Sequence, residues 1–214
     1  MWKKYRVELQ FTGPFAASTP KDPQEIEAML EHRAPSDAEV VRRVRAGEVL
    51  KTLSDLAEEV AEEVEAQPGE KGWATFKRDE KGLYYEGRCV RAHLKDCANV
   101  LQKTLGIKAL KSKVANRVYV FPERLYLGKM EPDGRELRMV HVIVKQGPRS
   151  TLKFVDYVMQ PRLAFTLKVL DDGEIGRDVI EALFEYGGVH GMGQERSQQW
   201  GQYEVVSFGE VDGK

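Results

Sequence analysis

The sequence is poor in the residues that staple a fold, hold metals or span membranes. Only 2 cysteines, Cys89 and Cys97, occur in 214 residues. That is too few for a disulfide framework, and it makes a reducing, cytoplasmic setting the default expectation. The 4 histidines, His32, His93, His141 and His190, are scattered, with neither a His-Glu-x-x-His helix nor a Cys-x-x-Cys pair. No metal site and no cofactor is therefore expected. No apolar run is long enough to cross a bilayer. Trp2-Lys3-Lys4-Tyr5-Arg6 leads directly into an alternating strand rather than the apolar core of a signal peptide, so no membrane partner is expected. A Gly-x-Ser-x-Gly elbow is also missing, which removes one common hydrolase signature. Asparagine is scarce (Asn99 and Asn116) beside abundant Glu, Lys and Arg, a composition compatible with a heat-adapted protein.

What is present describes an ordinary globular chain: 42% hydrophobic and 31% charged residues, long enough to bury a core. The formal charge of -1 conceals a strong segregation. Residues 1–70 hold 9 Lys/Arg against 15 Asp/Glu, residues 71–153 hold 19 against 8, and residues 154–214 hold 5 against 11. A basic middle between acidic ends points to a polyanion-facing surface, unless the charges cancel once the chain is folded. The excess is most local between Cys97 and Pro122, which contains Lys103, Lys108, Lys111, Lys113 and Arg117 and no acidic residue.

Residues 2–11 alternate, with Tyr5, Val7, Leu9 and Phe11 opposite Lys4, Arg6, Glu8 and Gln10, and predict a half-buried strand. Asp22-Pro23-Gln24-Glu25 is a helix start, Ser36-Asp37-Ala38-Glu39 a second, and Ser54 to Ala66 a third helix with an acidic outer face. Short strands are expected at 73–77 and 83–86, then a helix from Arg88 to Leu105. Val118–Phe121 reads as a buried strand. Residues 124–129 and 137–145 read as a hairpin joined through Glu131-Pro132-Asp133-Gly134, with a further turn at Gly147-Pro148-Arg149-Ser150. Residues 163–170 form a clear strand, 175–186 a helix, and 203–208 a last strand.

Between that helix and that strand lies the stretch Tyr186-Gly187-Gly188-Val189-His190-Gly191-Met192-Gly193-Gln194-Glu195-Arg196-Ser197-Gln198-Gln199-Trp200-Gly201. Its glycines allow positive φ and close approach to a ligand, and such loops can aim several amides at one anion. No Gly-Lys-Ser/Thr follows, so it is not a Walker A loop, and the order helix–loop–strand is not that of a dinucleotide fingerprint. Arg196 would supply a phosphate fork and Trp200 a stacking face. Close packing between helix and strand is the structural alternative for the glycines, and a place in the core is the alternative for Trp200.

The residues Gly188 to Ser197 followed by Trp200-Gly201-Gln202-Tyr203-Glu204-Val205 resemble the glycine loop of the RAMP superfamily, the RNA-binding proteins of CRISPR effector complexes and guide processing. Tyr5-Arg6-Val7-Glu8-Leu9 and Tyr84-Tyr85-Glu86-Gly87-Arg88 also fit that family's first strand and its entry into the first helix. The resemblance implies an α+β, ferredoxin-like (RRM-like) βαββαβ core in a single domain spanning 1–214, with a helical insertion at 23–70 and a basic hairpin insertion at 106–153. It implies binding of RNA or single-stranded DNA along the sheet and glycine loop, by a member encoded outside a CRISPR locus, such as by a phage. The expected contacts are Gly188, Gly191, Gly193, Arg196, Ser197, Trp200, Lys103, Lys108, Lys111, Lys113 and Arg117. Copies tiling along a strand into a filament or larger ribonucleoprotein would account for acidic and basic segments in one chain. Two alternatives stay open. One is a metal-independent endoribonuclease with His190 as general acid/base; the other is a protein-interaction scaffold without nucleic acid. Asp22 stands where some family members hold a cleavage aspartate, but its place before Pro23 makes it a helix cap first.

Overall fold

A computed structural model describes residues 1–32, 51–144 and 147–211, and of residues 140–144 and 147–150 the backbone alone. The chain runs β1 (Trp2–Phe11), β2 (Pro14–Ala16), β3 (Thr19–Pro20), α1 (Pro23–Glu31), α2 (Leu53–Glu63), β4 (Trp73–Thr75), β5 (Lys77–Asp79), β6 (Gly82–Glu86) and α3 (Gly87–Leu101). It continues α4 (Leu110–Arg117), β7 (Val118–Phe121), β8 (Arg124–Tyr126), β9 (Gly134–Val144), β10 (Gly147–Met159), β11 (Arg162–Leu170), α5 (Arg177–His190) and β12 (Tyr203–Glu210).

The centre is a 4-stranded sheet in the order β12–β1–β11–β7, antiparallel throughout. One crossover carries α3 from β1 past β11 to β7, and another carries α5 from β11 past β1 to β12. That is the ferredoxin-like βαββαβ core expected from the sequence. The alternation in β1 does its work here. Tyr5, Val7, Leu9 and Phe11 are buried with Val90, Leu94 and Ala98 of α3 and Ile180, Leu183 and Phe184 of α5. Burial of each large side chain contributes about 1.5–3 kcal/mol. Both helices cover the same face of the sheet, and the even-numbered side chains of β1 point away from them.

The helical insertion has its own small core of Ile26, Ala57, Val60 and Val64. Asp22 caps α1, accepting from the amides of Gln24 (3.0 Å) and Glu25 (3.3 Å), and its second oxygen accepts from the Gly69 amide at 2.9 Å. One carboxylate thus ties the start of the insertion to its end, which is the capping role read from the sequence. The helix expected from Ser36 lies outside the described residues.

Three expectations need correction. Residues 124–129 and 137–145 do not pair with each other. β8 pairs with β6, and β9 pairs with β10 over 11 residue pairs, so that Gly147–Ser150 begins a strand instead of turning the chain. Asp133 closes the Glu131–Gly134 turn onto β10, accepting from the Met159 amide at 2.8 Å, and sets Gly134 opposite Tyr157. Secondly, a helix that the sequence did not suggest, α4, forms within the lysine run. This helix has no capping side chain and enters from Ala109 at φ +54°, so it owes its place to burial of Leu110 and Val114. Thirdly, β7 is a sheet edge with only Val118 buried; Tyr119 and Phe121 are exposed. The 106–153 span thus includes a strand of the central sheet and is not one insertion. No helix among the described residues is long and apolar enough to cross a membrane.

Asp22→Ala strips three amides of their acceptor at a buried position and is expected to lower unfolding free energy by about 1–3 kcal/mol, measured by urea denaturation.

Candidate nucleic-acid interface

Helix α5 runs on through Gly187 and Gly188 to His190, so the glycine stretch begins inside a helix. A Cβ on Gly188 would lie 2.5 Å from the Tyr203 carbonyl oxygen, and one on Gly187 would overlap the Tyr203 hydroxyl and the His93 ring. These two glycines let the α5 backbone meet the β12 backbone at Gly188 and the Tyr203 and His93 side chains at Gly187. Beyond the helix, Gly191 and Gly201 both take positive φ (+83° and +74°), and the Met192 amide donates to the Gly201 carbonyl at 2.8 Å.

Several of the loop's amides are bonded within the fold. Gly191 donates to Gly187, Gln198 and Trp200 to Glu195, Gln199 to Arg196, and Gly201 to Pro14, all within 3.3 Å. Those amides are engaged, so Gly191 offers no free donor for the expected cradle. Gly193 packs against Phe15 and the Ala16 carbonyl. Trp200 is 7% exposed, with Arg138 over its ring at 4.1 Å and Tyr157 edge-on at 5.5 Å. No base can stack there, so the stacking role is also corrected. Hairpin β9–β10 covers the loop, and Lys153 satisfies Gln194 (2.7 Å) and Glu195 (2.8 Å). Ser197 stays exposed at the loop's outer turn.

Arg196 sets its Nη1 at 3.2 Å from Nε2 of His190 and 3.8 Å from Asp96. A guanidinium only donates, so this imidazole nitrogen accepts, and its lone pair is engaged. The His190 ring stacks between Tyr186 (5.4 Å) and His93 (6.5 Å). A general base at His190 would have to give up Arg196 first. Beneath it, His93 Nε2 lies 3.0 Å from the Tyr203 hydroxyl, and its Nδ1 is buried without a partner among the described residues. Burial, with Arg196 and His190 adding to it, pushes the His93 pKa down to about 3. Burial also pushes the Cys97 thiol up to about 12, which leaves it an inert core group.

The basic segment divides. Lys113 pairs with Glu174 at 2.6 Å, and Arg117 pairs with Asp172 at 2.8 Å and Glu174 at 3.0 Å. The Lys113 ammonium and the Arg117 guanidinium hold the Glu174 carboxyl below its usual range. These two cations are thus paired within the chain, unlike the other lysines of the segment. Lys103, Lys108 and Lys111 are exposed, with no ion pair among the described residues. Elsewhere Glu63 takes Lys77 (2.8 Å) and Arg124 (3.0 Å), and Arg78 takes Glu65 and Glu131. Much of the segregated charge therefore cancels inside the fold.

Charge and aromatic surface do coincide on the face of the central sheet that no helix among the described residues covers. Register lines up Lys4, Lys168 and Tyr119 in one row and Arg6, Thr166 and Phe121 in the next. Trp2 lies 5.9 Å from Tyr119, and the Lys168 ammonium lies 5.2 Å from the Trp2 ring. Trp2, Tyr119 and Phe121 are 46%, 36% and 51% exposed. Lys4, Arg6 and Lys168 have no acidic partner among the described residues, whereas Glu8 on the same face is neutralised by Arg162 at 3.0 Å. Sequence reasoning placed Lys4 and Arg6 on the outward side of β1 but did not single them out. The signal was there in the aromatic Trp2 on the same side and the alternation of β11. Among the described residues no three His, Cys, Asp or Glu side chains are grouped so as to hold a metal ion.

Fold and site define an α+β protein with a ferredoxin-like core, whose open sheet face is basic and aromatic. No family model and no curated protein matches the sequence. Among solved structures the chain is similar to one in the cryo-EM structure of the Type III-B Cmr-beta complex bound to cognate target RNA, with 10% identity and a TM-score of 0.46. The match covers 98% of this chain and 61% of that one, so the chain spans about three fifths of its neighbour's length. A likeness this distant does not bear on what the chain does.

The depressed His93 pKa carries a sign. The unfolded chain binds the proton first, so stability falls as pH drops from about 6.5 toward about 3. Between about pH 7 and pH 5 the parent protein is expected to lose about 2 kcal/mol more than His93→Gln, measured by urea denaturation at the two pH values.

Proposed function

We propose that the protein binds single-stranded RNA on the open face of its central sheet, in the manner of a RAMP-like protein. The observation that carries this reading is the coincidence of three exposed rings with three uncompensated cations on three successive rows of one sheet face. Bases stack on exposed rings whatever their sequence, while cations track the phosphates. Four-stranded sheets of this connectivity offer such rings to unpaired bases in RNA-binding modules. Lys103, Lys108 and Lys111 add positive potential along the chain and are proposed as auxiliary phosphate contacts. Arg196 is occupied by His190 and Asp96, and is not needed for the reading.

The test is fluorescence anisotropy with a labelled uridine-rich RNA strand across a salt series, with a DNA strand of the same sequence beside it. Tyr119→Ala with Phe121→Ala is expected to weaken binding by about 1–3 kcal/mol for each base unstacked. Lys4→Ala, Arg6→Ala and Lys168→Ala together are expected to flatten the slope of log K against log salt by about 2. Unchanged titrations in both variants would remove the proposal, and equal binding of the DNA strand would remove its restriction to RNA.

A further inference from the structure

The two faces of the sheet leave its β12 edge unaccounted for. β12 is an outer strand of 8 residues, hydrogen-bonded to β1 on one side only. The Thr12 amide donates to Gln202 at 3.0 Å, and the Val211 amide donates to Lys4 at 2.8 Å. In an antiparallel ladder these bonds alternate, so with the observed register the peptide groups of Tyr203, Val205, Phe208 and Glu210 point outward. The Phe208 carbonyl accepts from Arg177 at 3.3 Å, as that assignment requires. Tyr203 and Val205 lie before the β-bulge opposite Glu8 and Leu9; Gly188 of α5 covers the Tyr203 carbonyl, and no hydrogen bond among the described residues uses the outward groups of Val205, which is 38% exposed.

Beside this edge runs a groove of about 420 Å³ between β12 and α5, floored by Phe184, Tyr203, Val205 and Phe208. It is flanked by Glu185 and Glu204, neither of which has an ion pair among the described residues; its third acid, Glu181, is held by Arg177 at 3.0 Å. Edges of natural sheets are commonly blocked by lysine, proline or a covering element. α5 covers the edge at Tyr203, but from Glu204 to Ser207 β12 is exposed and has no lysine or proline, and the flanking charge is negative.

The geometry points to a strand-addition site: an extended segment of a protein partner, alternating apolar and basic residues, pairs with β12 and sets its apolar side chains in the α5 groove. Backbone bonds would supply affinity and the groove and acids would supply selection. The occupant is basic because an acidic segment would meet Glu185 and Glu204 unscreened, and extended because the free donors and acceptors belong to a strand. This site lies apart from Trp2, Tyr119 and Phe121 and does not depend on RNA binding.

The probe is a fluorescent peptide of about eight residues alternating lysine and valine, titrated against the full chain by anisotropy. Micromolar binding is expected, at least tenfold weaker for Val205→Pro and for Glu185→Lys with Glu204→Lys. Proline is tolerated at an edge position whose amide faces solvent, so Val205→Pro is expected to keep its melting temperature. A probe with alternate amides N-methylated reports on the same bonds without changing the protein, and is expected not to bind. Lys4→Ala with Phe121→Ala should leave peptide binding unchanged. The site is overturned by no binding of the parent peptide, by equal binding of the N-methylated probe, or by equal binding of a glutamate–valine peptide.

Discussion

The contact on which the rest depends is the close approach of α5 to β12 and α3 at Gly187 and Gly188. No side chain fits there: Tyr203 and His93 occupy the space that a Cβ would need. That approach lets the His93–Tyr203 pair close beneath the helix and draws β12 alongside β1 as the fourth strand. Once α3 and α5 share one face, no helix among the described residues covers the opposite face of the sheet. The position of α5 also leaves the groove beside β12. Open face and groove are both consequences of two helices packed tightly on one side.

Electrostatics then sorts the surface. The acidic ends of the chain are brought against its basic middle, as in Lys113 and Arg117 with Glu174, Glu63 with Lys77 and Arg124, and Lys153 with Glu195. Pairs of this kind on a surface are each worth little, typically up to about 1 kcal/mol, but they consume the charge that a linear count assigns to a ligand. What survives is a smaller set of cations with no local partner. Lys4, Arg6 and Lys168 differ from the richer lysine run in standing next to exposed rings, which is why the proposed reading rests on them.

Much of the core was legible because it is local. The alternation of β1 and β11, the helical periodicities of α3 and α5, and the Asp22 cap each depend on neighbours within a few residues. The order strand–helix–loop–strand at the C-terminus was enough to place half of the ferredoxin-like unit. The pairing of β9 with β10 was misread because Glu131–Gly134 looks like a hairpin turn from either side, and only Asp133 reaching Met159 decides between them. Helix α4 was missed for a related reason: it has no start signal and exists because Leu110 and Val114 find a hydrophobic surface.

The sequence by itself determined the class of the fold, the ends of most elements and the fact that the C-terminal glycines are structurally required. It could not say whether those glycines serve a ligand or a neighbour, since both need the same lack of a side chain. Only the tertiary structure answered that, by placing Tyr203, His93 and the Trp200 carbonyl where the missing Cβ atoms would be. Register across β1, β11 and β7 likewise joins residues 2, 119 and 168 into one surface. Such proximity is a property of strand order, and no periodicity within a single strand contains it.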